Sequence, residues 1–156
     1  MDDVIDERLL RRTFGLARLA KNRGNGAFGA ILARKSGVVL FEAENTVTED
    51  HGDPTAHAEM NLLREASVHF DPSELADLTM YCSTEPCAMC AAAAYYCGVG
   101  RIVYGLPSAR YRENKGRGLA LGCQELLELG PDHKVAIVGP LLEAEAAQVH
   151  GFGEGS

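Results

Sequence analysis

Two short segments of this chain carry residue types that do chemistry at a useful spacing: His57-Ala58-Glu59 and Pro86-Cys87-Ala88-Met89-Cys90. Two thiols three positions apart fall on one side of the first turn of a helix. There the unpaired amide N–H groups and the helix dipole favour the ionised form of both. Pro86 suits such a helix start, because the N–H it lacks would have had no partner. Cys87 and Cys90 therefore make half a site for Zn²⁺, and His57, at the start of the preceding helix, offers a third ligand. No second Cys-x-x-Cys and no His pair is present to close a structural site, and Cys82, Cys97 and Cys123 are scattered singly. Three protein ligands leave one position open, the mark of a catalytic zinc. Water in that position has its pKa lowered from about 15.7 towards ~7. Glu59, two residues beyond His57, is placed to take and return its proton without binding the metal.

Other readings of the same residues account for less. A purely structural zinc, as in a non-catalytic binding module, lacks its fourth ligand. A redox Cys-x-x-Cys leaves His57-Ala58-Glu59 as coincidence. Alone, Asn45 reads as a turn-capping residue. His51, His69, His133 and His150 read as surface or capping residues, and Cys82 and Cys97 as small buried apolar groups.

The elements that must hold these segments follow from periodicity. Val4 to Ala20 has apolar residues on one helical face and ends at the glycines of 24–29. Phe28–Ala33 and Val38–Glu42 read as strands joined by a hairpin turn at Lys35-Ser36-Gly37. A loop over Asn45–Asp53 leads into a helix from His57 to Ala66. Leu78–Cys82 reads as a strand, Ser83–Pro86 as a turn, Cys87–Cys97 as a helix and Arg101–Leu106 as a strand. Pro107–Gly118 reads as a charged loop, Leu119–Leu129 as a helix, Val135–Val138 as a short strand and Leu141–His150 as a last helix. The tail from Gly151 either frays or folds over a site. Strands alternating with helices predict an α/β fold in three layers, α/β/α.

At 156 residues the chain fits a single domain over 1–156. Its net charge of −7 argues against a nucleic-acid partner, since a surface that tracks phosphates is basic. The charged stretch Met1–Arg12 has no apolar signal region, and there is no run of 18 apolar residues. With an odd cysteine count, these features predict a cytoplasmic protein with no membrane partner.

Phe28-Gly29-Ala30, Asp53-Pro54-Thr55-Ala56-His57-Ala58-Glu59 and Thr84-Glu85-Pro86-Cys87-Ala88-Met89-Cys90 together resemble the cytidine-deaminase-like superfamily of zinc deaminases. Order and spacing agree over Leu9 to Leu106. The likeness is to the branch holding bacterial guanine deaminases, tRNA adenosine deaminases and fungal-type cytosine deaminases. It implies a five-stranded mixed sheet between helices, a Zn²⁺ cofactor, and a homodimer or larger assembly. It further implies that His57, Cys87 and Cys90 are ligands and Glu59 the proton shuttle. Asn45 would hydrogen-bond the base, and the Ala58 and Cys87 backbone N–H groups would contact its ring or carbonyl. The reaction implied is hydrolytic replacement of a ring amine by oxygen, releasing ammonia.

For the substrate, Tyr111 and the tail residues Phe152 and Glu154 resemble the pocket-closing parts of fungal-type cytosine deaminases. They are expected to stack on the base and close over it, against the plainer reading of a solvated loop. Guanine deaminases commonly carry an aspartate near the position of Arg110, which counts against guanine. The tRNA adenosine deaminases end in a basic, aromatic-rich helix, whereas Leu141–Ala147 is acidic. The expectation is a small-molecule base or nucleoside of cytosine or guanine type, with tRNA adenosine as the alternative.

Overall fold

The structure, a computed structural model, describes residues 3–153. Helix α1 (Asp3–Asn22) buries Leu9, Leu10, Phe14, Ala17 and Ala20 along one face, as the spacing of its apolar residues dictates. Strands β1 (Gly29–Arg34) and β2 (Val39–Glu44) pair as an antiparallel hairpin. Its turn requires the positive φ of 93° that Gly37 supplies. After a loop come α2 (Ala58–His69), α3 (Pro72–Leu75), β3 (Leu78–Thr84), α4 (Ala88–Cys97) and β4 (Arg101–Leu106). Then follow α5 (Ser108–Lys115), α6 (Cys123–Leu127), β5 (Ala136–Val138) and α7 (Glu143–Val149).

The five strands form one sheet in the order β2-β1-β3-β4-β5. β1 runs antiparallel to both neighbours, whereas β3, β4 and β5 are parallel. Parallel neighbours need a crossover, and helices supply each one. Every residue of β3 and β4 is buried, because the sheet is covered on both faces. Along β1 the side chains alternate: Ala30 and Leu32 join the core beneath α2, α4 and α6, while Ile31 and Ala33 join the core beneath α1 and α7. This is the three-layer α/β/α arrangement that the alternation of strands and helices predicts, around the five-stranded mixed sheet that the resemblance implies.

One polar contact runs through the α1 side. Asp6, Tyr81 and Arg101 are all buried. Arg101 donates to both Asp6 carboxylate oxygens (2.9 and 2.5 Å), and the Tyr81 hydroxyl donates to Asp6 at 2.7 Å. Burial alone would raise the Asp6 pKa, but the hydrogen bonds from Arg101 and Tyr81 bring it below the ordinary value. The first helix is thereby joined to the two central parallel strands.

Two expectations need correction, and one element is additional. Residues 108–115 are not loop but helix α5, which starts after Pro107 and ends at Gly116 in the left-handed conformation. The helix expected over Leu119–Leu129 is confined to Cys123–Leu127. Short α3 was not anticipated, although Asp71 and Glu74 form a reciprocal capping box there. No helix among the described residues is long and apolar enough to cross a membrane.

Candidate active site

Strand β3 ends at Thr84, and three residues later Cys87 is the N-cap of α4, with extended backbone (φ −65°, ψ 171°). His57 is in turn the N-cap of α2, with φ −70° and ψ 154°. The two helices pack on the same face of the sheet. Their first turns therefore meet, and the residues that begin them share one site. His57 Nδ1 lies 3.6 Å from Cys87 Sγ and 3.5 Å from Cys90 Sγ. Tetrahedral zinc, with bonds of ~2.1 Å to nitrogen and ~2.3 Å to sulfur, sets such donors about 3.6 Å apart. The three donors fit the ion, and theirs is the one group of this kind among the described residues.

Glu59, in the first turn of α2, is buried beside these donors. Burial pushes its carboxyl up to about 7, and the Cys87 thiolate adds to the effect. The Cys87 thiol is held down to about 4, first by its hydrogen bond with Cys90 and then by His57, against the cost of burial. Cys90 is driven in the opposite direction by its neighbour Cys87 and by burial. The hydrogen bond with Cys87 raises His57. A divalent cation among these groups would reverse the local field and leave both thiols ionised.

His57, Glu59 and Cys87 form the floor of a cavity of about 470 Å³, with Cys90 buried beneath. Asn45, His57, Glu59, Cys87 and Tyr111 line it. Asn45 is buried, and its Oδ1 accepts from the Val47 N–H at 3.1 Å, which leaves Nδ2 as the group it offers to the cavity. Ala58 is fully buried at the first position of α2, so only its backbone can serve there. Tyr111, on α5, stands edge-on to Phe28 at 5.5 Å. Phe152 does not line the cavity: it is buried behind Tyr111 and His150, at 6.5 and 5.4 Å between ring centres. Glu154 lies outside the described residues.

Several wall residues escaped the sequence reading. Phe28, Thr84, Glu85 and Arg117 all line the cavity. Glu85 ties the wall together: its carboxylate accepts from the Ser108 N–H at 2.9 Å and from the Cys123 N–H at 2.7 Å. Asn61 does the same for the Asn45 loop, donating to Glu44 O at 3.0 Å and Thr46 Oγ1 at 2.9 Å. His150 is more than a cap. It meets Thr84 Oγ1 at 2.9 Å, sits among Phe28, Tyr111 and Phe152, and is kept neutral by burial, with a pKa of about 4. Glu85 stands inside the motif itself. For His150 no local pattern signals a partner 66 positions away.

A mixed sheet of this order, with one imidazole and two thiols at adjacent helix starts, defines a metal-binding protein of the cytidine-deaminase fold. The family of the cytidine and deoxycytidylate deaminase zinc-binding region matches residues 3–106, and the chain belongs to that family. A probable cytosine deaminase of Schizosaccharomyces pombe is 31% identical over 152 residues, spanning 94% of this chain and 91% of that protein. The guanine deaminase of Bacillus subtilis is 38% identical over 99 residues, 63% of this chain and 62% of that one. Among solved structures, one from work on A-to-I editing by tRNA:A34 deaminases superimposes with a TM-score of 0.69 at 27% identity. That match covers 88% of this chain and 94% of the other. Zinc is the cofactor of this family, and the donor set fits it.

Proposed function

We propose that this protein is a zinc-dependent hydrolytic deaminase that removes the exocyclic amine of a nucleobase or nucleoside of cytosine or guanine type. One observation carries the reading: a buried carboxyl, Glu59, stands beside a three-donor metal site at the floor of a cavity large enough for such a ring. Similarity to cytosine and guanine deaminases supports it.

His57, Cys87 and Cys90 hold the metal. Zinc, when bound, supplies a Lewis acid that makes a nucleophile of water at neutral pH. Glu59 takes one proton of the water and gives it to the ring nitrogen; it then takes the second, from the hydroxyl now on the ring carbon, and gives it to the amine, so that the C–N bond breaks and ammonia leaves. Burial helps, because desolvation raises the carboxyl's affinity for the proton it must take up. Asn45 Nδ2 donates to an acceptor on the ring, and the Ala58 and Cys87 backbone N–H groups, at two helix starts, favour charge developing nearby. Tyr111 and Phe28 confine the ring plane. Phe152 acts one layer behind, by holding Tyr111. The whole chain works as one domain, as a homodimer in the cytoplasm, on a small molecule.

The test is ammonia release from a panel of cytosine, guanine, adenine, cytidine, guanosine, the 5′-monophosphates of cytidine and guanosine, other aminated heterocycles with and without a carboxylate, and a tRNA by the zinc-loaded protein. A free base or nucleoside of cytosine or guanine type is expected to turn over. Turnover of tRNA alone would reassign the substrate, and silence across the panel would retire the reading.

A further inference from the structure

The mouth of the cavity departs from the charge of the chain that surrounds it. The net charge is −7, yet Arg112 and Arg117 both line the cavity. Most arginines whose contacts the structure defines meet a carboxylate: Arg11, Arg12, Arg23, Arg101 and Arg110 each do so. Arg117 makes no hydrogen bond or ion pair within the described residues. Arg112 donates only to uncharged oxygens, Ser108 Oγ at 3.3 Å and Leu119 O at 3.1 Å. Neither positive charge is neutralised by a contact.

None of the acids that share the wall is in contact with either arginine. Glu85 spends both oxygens on the Ser108 and Cys123 N–H groups. Glu59 is buried on the floor. Asp53, next to Pro54 on the cavity wall, is turned onto the N–H and hydroxyl of Thr55, at 2.8 and 2.7 Å. Two uncompensated guanidinium groups at a cleft mouth concentrate anions, and their planar donor forks suit the oxygens of phosphate and carboxylate. The volume agrees: about 470 Å³ lies in the ~300–1,000 Å³ range of pockets for drug-sized ligands. A substituent fits beyond the ring.

We propose, resting on the deaminase reading for the chemistry of the floor, that the substrate is an aminated ring carrying an anionic oxygen group, phosphate or carboxylate. Arg117 and Arg112 bind that group at the mouth. Arg117 is thereby a specificity-determining residue.

The test measures equilibrium binding of non-reacting probes to the zinc-loaded protein by calorimetry, so that it does not depend on turnover. Uridine 5′-monophosphate is compared with uridine, xanthosine 5′-monophosphate with xanthosine, and 5-carboxyuracil with uracil. The first two pairs report a phosphate source and the third a carboxylate. In one of these arms the anionic member is expected to bind roughly tenfold or more tightly. That preference should shrink as salt is added and collapse towards parity in Arg117→Gln. Lys35→Gln, on the exposed β1–β2 turn, should retain it. Parity in all three pairs overturns the inference, as does a preference that Arg117→Gln leaves intact. Displacement of every mononucleotide by tRNA at lower concentration would overturn it too, by assigning the arginines to nucleic acid. Ammonia release without anion preference defeats this inference but spares the deaminase reading; anion preference without ammonia release does the reverse.

Discussion

Glu59 occupies a place that water would ordinarily contest. A carboxyl 6% exposed, with a thiolate for a neighbour, keeps its proton until about neutral pH. Such a group has no structural use that a glutamine would not serve as well. This sets the decisive substitution. Glu59→Gln should bind zinc stoichiometrically, because it touches none of the three donors' identities. Its turnover should fall by ~10²-fold or more, the usual contribution of a general acid–base group. Metal content by atomic emission and rate by ammonia release give the two readings. Full activity in the variant would leave the carboxyl without a catalytic role.

At the scale of elements, the buried group of Asp6, Tyr81 and Arg101 ties α1 to β3 and β4. Breaking a buried pair strands the remaining charge, at a cost of ~3–5 kcal/mol. Arg101→Met is therefore expected to lower stability by about that much in denaturant titration, and Asp6→Leu combined with Arg101→Met to recover a good part of it. If the single variant is as stable as the parent, the pair does not hold the layers. How far such elements are legible in sequence depends on whether they bury a regular face. Helix α1 shows its face in Leu10, Phe14 and Ala17, and β1 declares itself by an apolar run closed by Lys35-Ser36-Gly37. Helix α5 buries no residue, so no apolar period exists to find, although Pro107 and Gly116 mark its ends. Leu119 and Leu121 suggested an earlier start for α6, but both line or border the cavity rather than a helix face. The three donors of the candidate metal site are legible because helix starts are local; Glu85 lies in the motif but its contacts are 23 and 38 residues away, and that of His150 is 66 away, which one sequence does not reveal.

Across the whole molecule, stability should depend on acid in a defined way. His150 has a pKa of about 4 when folded, below its ordinary value of 6.5, so the unfolded chain binds the extra proton between those values. Folding stability is then present in full above about pH 6.5 and is lost as pH falls towards 4. Asp6 acts in the same sense below its ordinary value of 3.8. Replacing His150 by Phe keeps a ring among Phe28, Tyr111 and Phe152 and removes the proton. The acid limb of the variant should be flatter than the parent's by up to ~1.4 kcal/mol per pH unit. Denaturant titrations at pH 7.5, 6, 5 and 4.5 measure the difference, and parallel limbs would show that His150 is as easily protonated folded as unfolded.

The meeting of two first turns beneath the cavity also dictates where this chain tolerates changes of length. A residue inserted between Cys87 and Cys90 rotates the second sulfur by ~100° around the axis and shifts it ~1.5 Å along it, which takes it out of reach. Insertion between Thr84 and Pro86 drags the whole of α4 against a strand buried at every position. The link from Gly118 to Gly122, between α5 and α6 and free of regular structure, has no such constraint. Growth or shrinkage there would resculpt the rim and so the choice of ligand, while the grip on the ion stays as it is.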